Sequence, residues 1–149
     1  MTTTVREPVP GTRPAAESVL REAGLRVTSL RLEALRQMDR LPHATADEVL
    51  EALRSEMPGT SVQSVYNVLS DLTGAGLLRR IEPANSAARF ERRVGDNHHH
   101  LVCRSCGAIE DVDCAVGAAP CLVPSATHGF VIDEAEVTFW GTCPACQQS

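Results

Sequence analysis

Cys103 and Cys106, and then Cys143 and Cys146, form two Cys-x-x-Cys pairs, and His98-His99-His100 stands just ahead of the first. A Cys-x-x-Cys turn presents two thiols to one point, so two such turns can close a tetrahedral Zn²⁺ site. The 36 residues between the pairs suffice for a small sheet that the metal would staple. On a strand, His98 and His100 fall on one face and His99 on the other. Carboxylates lie near in sequence at Glu91, Glu110 and Asp111, and His43 precedes a helix further upstream. A mixed imidazole and carboxylate shell suits Fe²⁺, Mn²⁺ or Zn²⁺ rather than a soft metal. The chain therefore reads as a zinc-stapled domain beside a second, exchangeable metal site.

Elements must hold these groups in place, and length limits what they can be. At 149 residues the chain is one medium or two small domains. Small units have thin cores and often depend on a metal or a partner subunit. Six cysteines could also form a disulfide framework. No apolar run at the N-terminus reads as a signal peptide and no stretch reads as a membrane span, so the expectation is a cytoplasmic protein with reduced thiols. Charge is divided along the chain: residues 1–93 carry 13 arginines against 12 acids, and residues 94–149 carry one arginine against seven acids. That division predicts an N-terminal part that touches an anionic polymer and an acidic C-terminal part that holds cations.

Residues 1–14 read as a loose tail. Helical spacing begins with Ala16, Val19, Leu20 and Ala23, with Gly24 at a C-cap position. A second helix from Ser29 buries Leu32, Leu35 and Met38. Thr45-x-x-Glu48 is a capping box that opens a third helix, with Val49, Leu50 and Leu53 inside and Pro58-Gly59 at its end. Ser61 caps a fourth, with Val62, Val65, Leu69 and Leu72 on its apolar face and a closing turn at Gly74–Gly76. Two β-like stretches, Leu77–Glu82 and Arg89–Val94, form a hairpin. Helices closed by a hairpin match a winged helix-turn-helix. Short strands follow at His99–Val102, Ala108–Val112 and Phe130–Phe139. The fold class is α+β, with a winged-helix DNA-binding domain over residues 15–94, a hinge at 95–98 and an α/β dimerisation domain over 99–149.

Opposite its apolar stripe the fourth helix exposes Gln63, Ser64, Tyr66, Asn67 and Ser70, short polar groups of the kind that meet base edges and phosphates. Polarity alone equally describes a solvated face. The arginine supply tilts the balance toward DNA: Arg13, Arg26 and Arg31 upstream, and Arg79, Arg80, Arg92 and Arg93 in or beside the wing. A lone Tyr66 could instead pack against the wing.

His-His-His-Leu-Val-Cys-Arg-Ser-Cys-Gly at 98–107, Ser-Val-Tyr-Asn-Val-Leu at 64–69 and Trp-Gly-Thr-Cys-Pro-Ala-Cys at 140–146 together resemble the ferric uptake regulator superfamily, over about residues 15–147. Gly-Asp-Asn-His-His-His and Ala-Val-Gly-Ala-Ala-Pro-Cys are most similar to its actinobacterial branch of catalase and catalase-peroxidase repressors. The resemblance implies structural zinc on Cys103, Cys106, Cys143 and Cys146. It also implies a regulatory Fe²⁺ or Mn²⁺ site, able to take Zn²⁺, on His43, Glu91, His98, His100 and Asp111. The implied partners are a double-stranded DNA operator, read through Arg26, Arg31, Gln63, Ser64, Tyr66 and Asn67, and a second copy of the chain. No membrane or small-molecule substrate is implied beyond metal ions and hydrogen peroxide.

Two features depart from the superfamily. Asn97 and Glu134-Ala135 stand where some members place histidines of a third metal site, and Ser29-Leu30 replaces an Arg-Pro that precedes Arg31 in close relatives. Cys114 and Cys121 are extra to the zinc set; they read as small buried residues or as a redox pair. Asp111 resembles the peroxide-sensing pattern and Glu91 the iron-sensing one, and the branch likeness decides for peroxide. The expected activity is a metal-dependent, peroxide-responsive repressor. The alternatives are an iron-responsive repressor and a metalloenzyme, which His plus carboxylate could support but for which no separate nucleophile is present.

Overall fold

The computed structural model describes residues 13–92, 94, 98–113, 122–133 and 135–148, with the side chains of Arg13 and Pro14 also outside the description. Of the expected tail at 1–14, residues 1–12 lie outside the described residues and 13–14 begin a helix; of the expected hinge at 95–98, residues 95–97 lie outside and His98 begins a strand; Arg93, Glu134, Cys114 and Cys121 also lie outside the described residues. The chain divides into two compact units, residues 1–94 and 95–149.

In the first unit four helices, α1 (Arg13–Glu22), α2 (Ser29–Arg40), α3 (Ala46–Leu53) and α4 (Val62–Gly74), surround one core. Thr28, Thr45 and Ser61 cap α2, α3 and α4, each accepting a backbone N–H of the first turn with its hydroxyl. The capping box is complete: Thr45 Oγ1 accepts the Glu48 N–H, and Glu48 Oε2 accepts the Thr45 N–H at 2.8 Å. Helices α1 and α4 end alike, at Gly24 (φ +74°) and Gly76 (φ +76°). In each case the next residue's N–H reaches five residues back, Leu25 to Leu20 and Leu77 to Leu72, a Schellman closure that needs the left-handed residue.

Leu20, Leu35, Val49, Leu53, Val65, Leu69, Leu72 and Phe90 are completely buried in this core. Burying each such side chain contributes about 1.5–3 kcal/mol. Over the core lies a three-stranded antiparallel sheet, ordered β1 (Ala44–Thr45), β3 (Arg89–Glu91), β2 (Arg79–Ile81). Helices closed by such a sheet make the winged-helix arrangement.

Three local expectations need correction here. Helix α3 stops at Leu53, before Pro58-Gly59, because residues 54–56 form a separate turn. Val62 is 44 % exposed, since the first residue of α4 projects past the packed turns, and Val68 takes its place in the core. Leu50 is only partly buried.

The second unit is a three-stranded sheet ordered β5 (Ile109–Asp113), β4 (His98–Cys103), β6 (Thr138–Gly141), followed by the short helix α5 (Pro144–Gln147). The central β4 runs antiparallel to β5 and parallel to β6. The strand expected over Phe130–Phe139 forms only at its end: 130–133 and 135–137 are not strand. Phe130 and Val131 are 75 % and 95 % exposed, so among the described residues no apolar surface rewards an extended pairing there. Among the described residues no helix is long and apolar enough to cross a membrane.

Candidate metal centres and nucleic-acid face

Parallel pairing of β4 with β6, in the register Cys103↔Gly141, delivers the loops that follow both strands to the same end of the sheet. Those loops carry the two Cys-x-x-Cys pairs, and one sulfur from each of the four cysteines lies within 4.8 Å of the others. Cys106 Sγ and Cys143 Sγ are 3.7 Å apart. Around a tetrahedral Zn²⁺ with Zn–S bonds of about 2.3 Å, neighbouring sulfurs are separated by about 3.8 Å. The four thiols therefore fit that ion in donor type and spacing.

Two backbone features prepare the site. Cys143 is the N-cap of α5, with Pro144 at its first position, and the Cys143 N–H donates to Cys103 Sγ at 3.3 Å. Together with the Cys106 N–H, that bond lowers the Cys103 thiol from 9.0 to about 6. Cys103 thus offers the thiolate, the ligand form, at neutral pH. Cys146, sharing hydrogen bonds with Cys143 and Cys106, is pushed up to about 12, so it keeps its proton until a cation displaces it. The Arg104 guanidinium lies 5.3 Å from the centre of the Trp140 ring, and the Arg104 N–H donates to the Gly141 carbonyl, which ties the first cysteine turn to β6.

On the same β4, His98 and His100 share one face, with ring centres 5.0 Å apart. Antiparallel register sets Asp111 opposite His100 and Asp113 opposite His98. Asp111 Oδ1 is 3.4 Å from His100 Nε2 and 3.7 Å from His98 Nε2. Both imidazoles are buried. His99 turns to the other face and meets the Phe139 ring edge-on at 6.3 Å. Glu110 pairs with Leu101 and so belongs to that other face, which separates it from the histidine pair. Asp113, by contrast, is a carboxylate that a reading of the motif passed over. Only strand register, which sequence proximity does not encode, reveals it.

The first unit holds a second imidazole and carboxylate pair. His43 sits one residue before β1 and Glu91 ends β3, so they face each other one step beyond the Ala44↔Phe90 pair. His43 Nε2 lies 3.1 Å from Glu91 Oε2, and both residues are buried. The strand β1 was not legible in sequence, where His43 read as a loop residue. Two residues of extended chain carry too little pattern to be seen, yet they place His43.

Candidate DNA-reading residues behave differently from one another. Gln63 and Asn67 are exposed on α4 and joined by a 2.9 Å hydrogen bond one turn apart. Ser64 is engaged in the helix cap, its Oγ 2.9 Å from Ser61 Oγ. Tyr66 is half-buried between the wing's Phe90, 6.2 Å away edge-on, and the Arg80 guanidinium at 5.7 Å. Arg26 is exposed. Arg31 donates to the Arg26 carbonyl at 2.7 Å and to Asp71 at 2.8 Å, which fastens α2 to α4. Arg92 pairs with Asp39 at 3.5 Å and Arg80 with Glu82.

Comparison with known proteins is consistent with this architecture. The ferric uptake regulator family model matches residues 22–139. Transcriptional regulator FurA of Mycobacterium tuberculosis is 56 % identical over 130 residues, covering 87 % of this chain and 88 % of that protein. Peroxide-responsive repressor PerR of Staphylococcus aureus is 32 % identical over 130 residues, covering 86 % of each. The crystal structure of the Vibrio cholerae ferric uptake regulator superposes with a TM-score of 0.68 at 23 % identity, covering 85 % of this chain and 98 % of that one. With its winged helix, its cysteine-bound sheet and relatives that match it nearly end to end, the chain belongs to the ferric uptake regulator family and is a transcriptional regulator, not an enzyme.

Proposed function

We propose that the chain is a metal-dependent, homodimeric repressor that binds a double-stranded DNA operator in the cytoplasm and is released by hydrogen peroxide, controlling catalase or catalase-peroxidase genes. The observation that carries this reading is the convergence of the buried His98 and His100 with the partly exposed Asp111 on one sheet face. Two buried imidazoles beside a carboxylate are costly to hold in an apolar setting and are the donor set of a divalent cation. The buried His43–Glu91 pair has the same donor chemistry.

We assign His43, Glu91, His98, His100 and Asp111 to one regulatory site for Fe²⁺ or Mn²⁺, with Zn²⁺ as an occupant in purified protein. Cys103, Cys106, Cys143 and Cys146 hold structural zinc. When bound, Fe²⁺ supplies the one-electron chemistry by which peroxide oxidises an imidazole. The protein's own part is to draw ligands from both units, residues 15–94 for DNA binding and 99–149 for dimerisation, about a hinge at 95–98. A ligand set shared in this way makes the DNA-binding posture depend on occupancy. Gln63, Ser64, Asn67 and Arg26 meet the DNA, while Arg31 and Tyr66 hold α4 in place. The exposed Leu101, Phe130, Val131 and Phe139 support a second copy as partner, which also pairs two recognition helices with two half-sites.

The test loads the zinc-containing protein with Fe²⁺, exposes it to peroxide, and follows binding to DNA from upstream of catalase genes. Peptide mass spectrometry should find an added oxygen on His43, His98 or His100 as DNA binding is lost. Unmodified histidines together with surviving DNA binding refute the peroxide signal. Glu91, in place of an aspartate, favours iron availability as a second reading. In that case chelation derepresses target genes and peroxide at constant iron does not.

A further inference from the structure

We infer that Arg89 is a positioning residue for the regulatory site: it clamps the backbone of His43 to the wing and to the start of α3. The inference rests on the assignment of His43 as a regulatory ligand. His43 has φ +63°, a left-handed conformation that is uncommon outside glycine, although histidine enters it more often than most residues. In this conformation its imidazole meets Glu91 at 3.1 Å while its carbonyl accepts a hydrogen bond from Arg89 Nη1 at 3.0 Å. The same Nη1 lies 3.5 Å from Glu48 Oε2, the carboxylate that also accepts the Thr45 N–H in the capping box. Arg89 pairs with Thr45 across β1 and β3, so its guanidinium returns along the strand to the residue just before β1.

One partly buried guanidinium thus joins three things: the peptide of the ligand, the first turn of α3, and the wing strand that ends in Glu91. Without its donor, His43 relaxes toward the extended region that suits a residue before a strand, and its imidazole swings away from Glu91. The left-handed peptide is held by a single Nη1 on a planar head that faces two oxygens at once, a placement that lysine's unbranched head does not reproduce. The clamp also means that a displacement of His43 is felt at the wing through the same side chain.

The test measures Mn²⁺ affinity by calorimetry on zinc-loaded protein, since a hard cation leaves the thiol site to zinc. Arg89→Met keeps the apolar stem and removes the donors, and weakens Mn²⁺ binding by about tenfold or more, the loss of one charge-assisted hydrogen bond. Arg89→Lys retains the charge but loses the planar head that sets the donor against the His43 carbonyl, and weakens binding by about threefold; it also serves if the methionine variant does not fold. If Arg89→Met and Arg89→Lys lower the melting temperature yet bind Mn²⁺ with unchanged affinity, Arg89 is merely structural and the inference fails. His43→Ala separates the two levels: weakened Mn²⁺ binding in this variant alone sinks the clamp, and unchanged binding sinks the assignment of His43 and the clamp with it.

Discussion

Removing zinc should dismantle the C-terminal unit and spare the N-terminal one. Among the described residues, buried hydrophobic side chains in residues 95–149 are confined to Val102 and Cys103, whereas the N-terminal unit has a continuous core from Leu20 to Phe90. Burial of Val102 contributes about 2 kcal/mol. A structural zinc contributes an apparent ~10–16 kcal/mol at neutral pH. The metal term is therefore several times larger than anything the C-terminal core supplies.

Cys106→Ala is the cleanest perturbation, because Cys106 is exposed and its loss opens no cavity. Trp140, the single tryptophan, lies on β6 three residues before Cys143 and reports on that sheet directly. Stoichiometric chelation, or Cys106→Ala, should red-shift Trp140 emission and abolish amide-exchange protection in β4, β5 and β6. Helical circular dichroism from α1–α4 should persist with its own melting transition. Unchanged Trp140 emission and strand protection after complete zinc loss, verified by metal analysis, would show that the sheet holds itself and that the comparison of magnitudes is wrong.

Glu91→Gln leaves His43 without its carboxylate acceptor and should weaken Mn²⁺ binding by about tenfold or more, read by calorimetry, with little change in the α-helical signal. Thr45→Ala removes half of the capping box and should destabilise the N-terminal unit by about 1 kcal/mol, read as a lower melting temperature. Arg31→Ala should cost about 1 kcal/mol of stability, through its lost bonds to Asp71 and the Arg26 carbonyl. It should leave the salt dependence of DNA binding unchanged, and a drop of about one in that slope would make Arg31 a phosphate contact instead. Asn67→Ala should weaken specific binding by about 1–3 kcal/mol while leaving nonspecific binding intact, as competition with unrelated DNA would show.

Local chemistry was legible without coordinates wherever it depends on near neighbours in the chain. The capping box at Thr45-x-x-Glu48, the Ser61 cap, the glycine closures and the two cysteine turns are short-range patterns, and each forms as its spacing dictates. The same holds for His98 and His100 on one strand face, because strand alternation needs only the residue count. Expectations failed where a distant surface had to supply the other half. Phe130 and Val131 look like strand, but among the described residues no apolar partner covers them. Tyr66 read from sequence either as a DNA contact or as packing against the wing, and only the fold places Phe90 and Arg80 beside it.

Sequence by itself determined the donor inventory: four thiols in two turns, a histidine triplet, and an acidic C-terminal part. Tertiary structure alone decided which donors meet. Register chose Asp111 and Asp113 over Glu110, parallel pairing of β4 with β6 brought the cysteine turns to one edge, and a two-residue strand set His43 against Glu91. The physical reason is that a side chain's type is local, while its partner is set by hydrogen-bond registers between segments 10 to 50 residues apart, which no local pattern specifies.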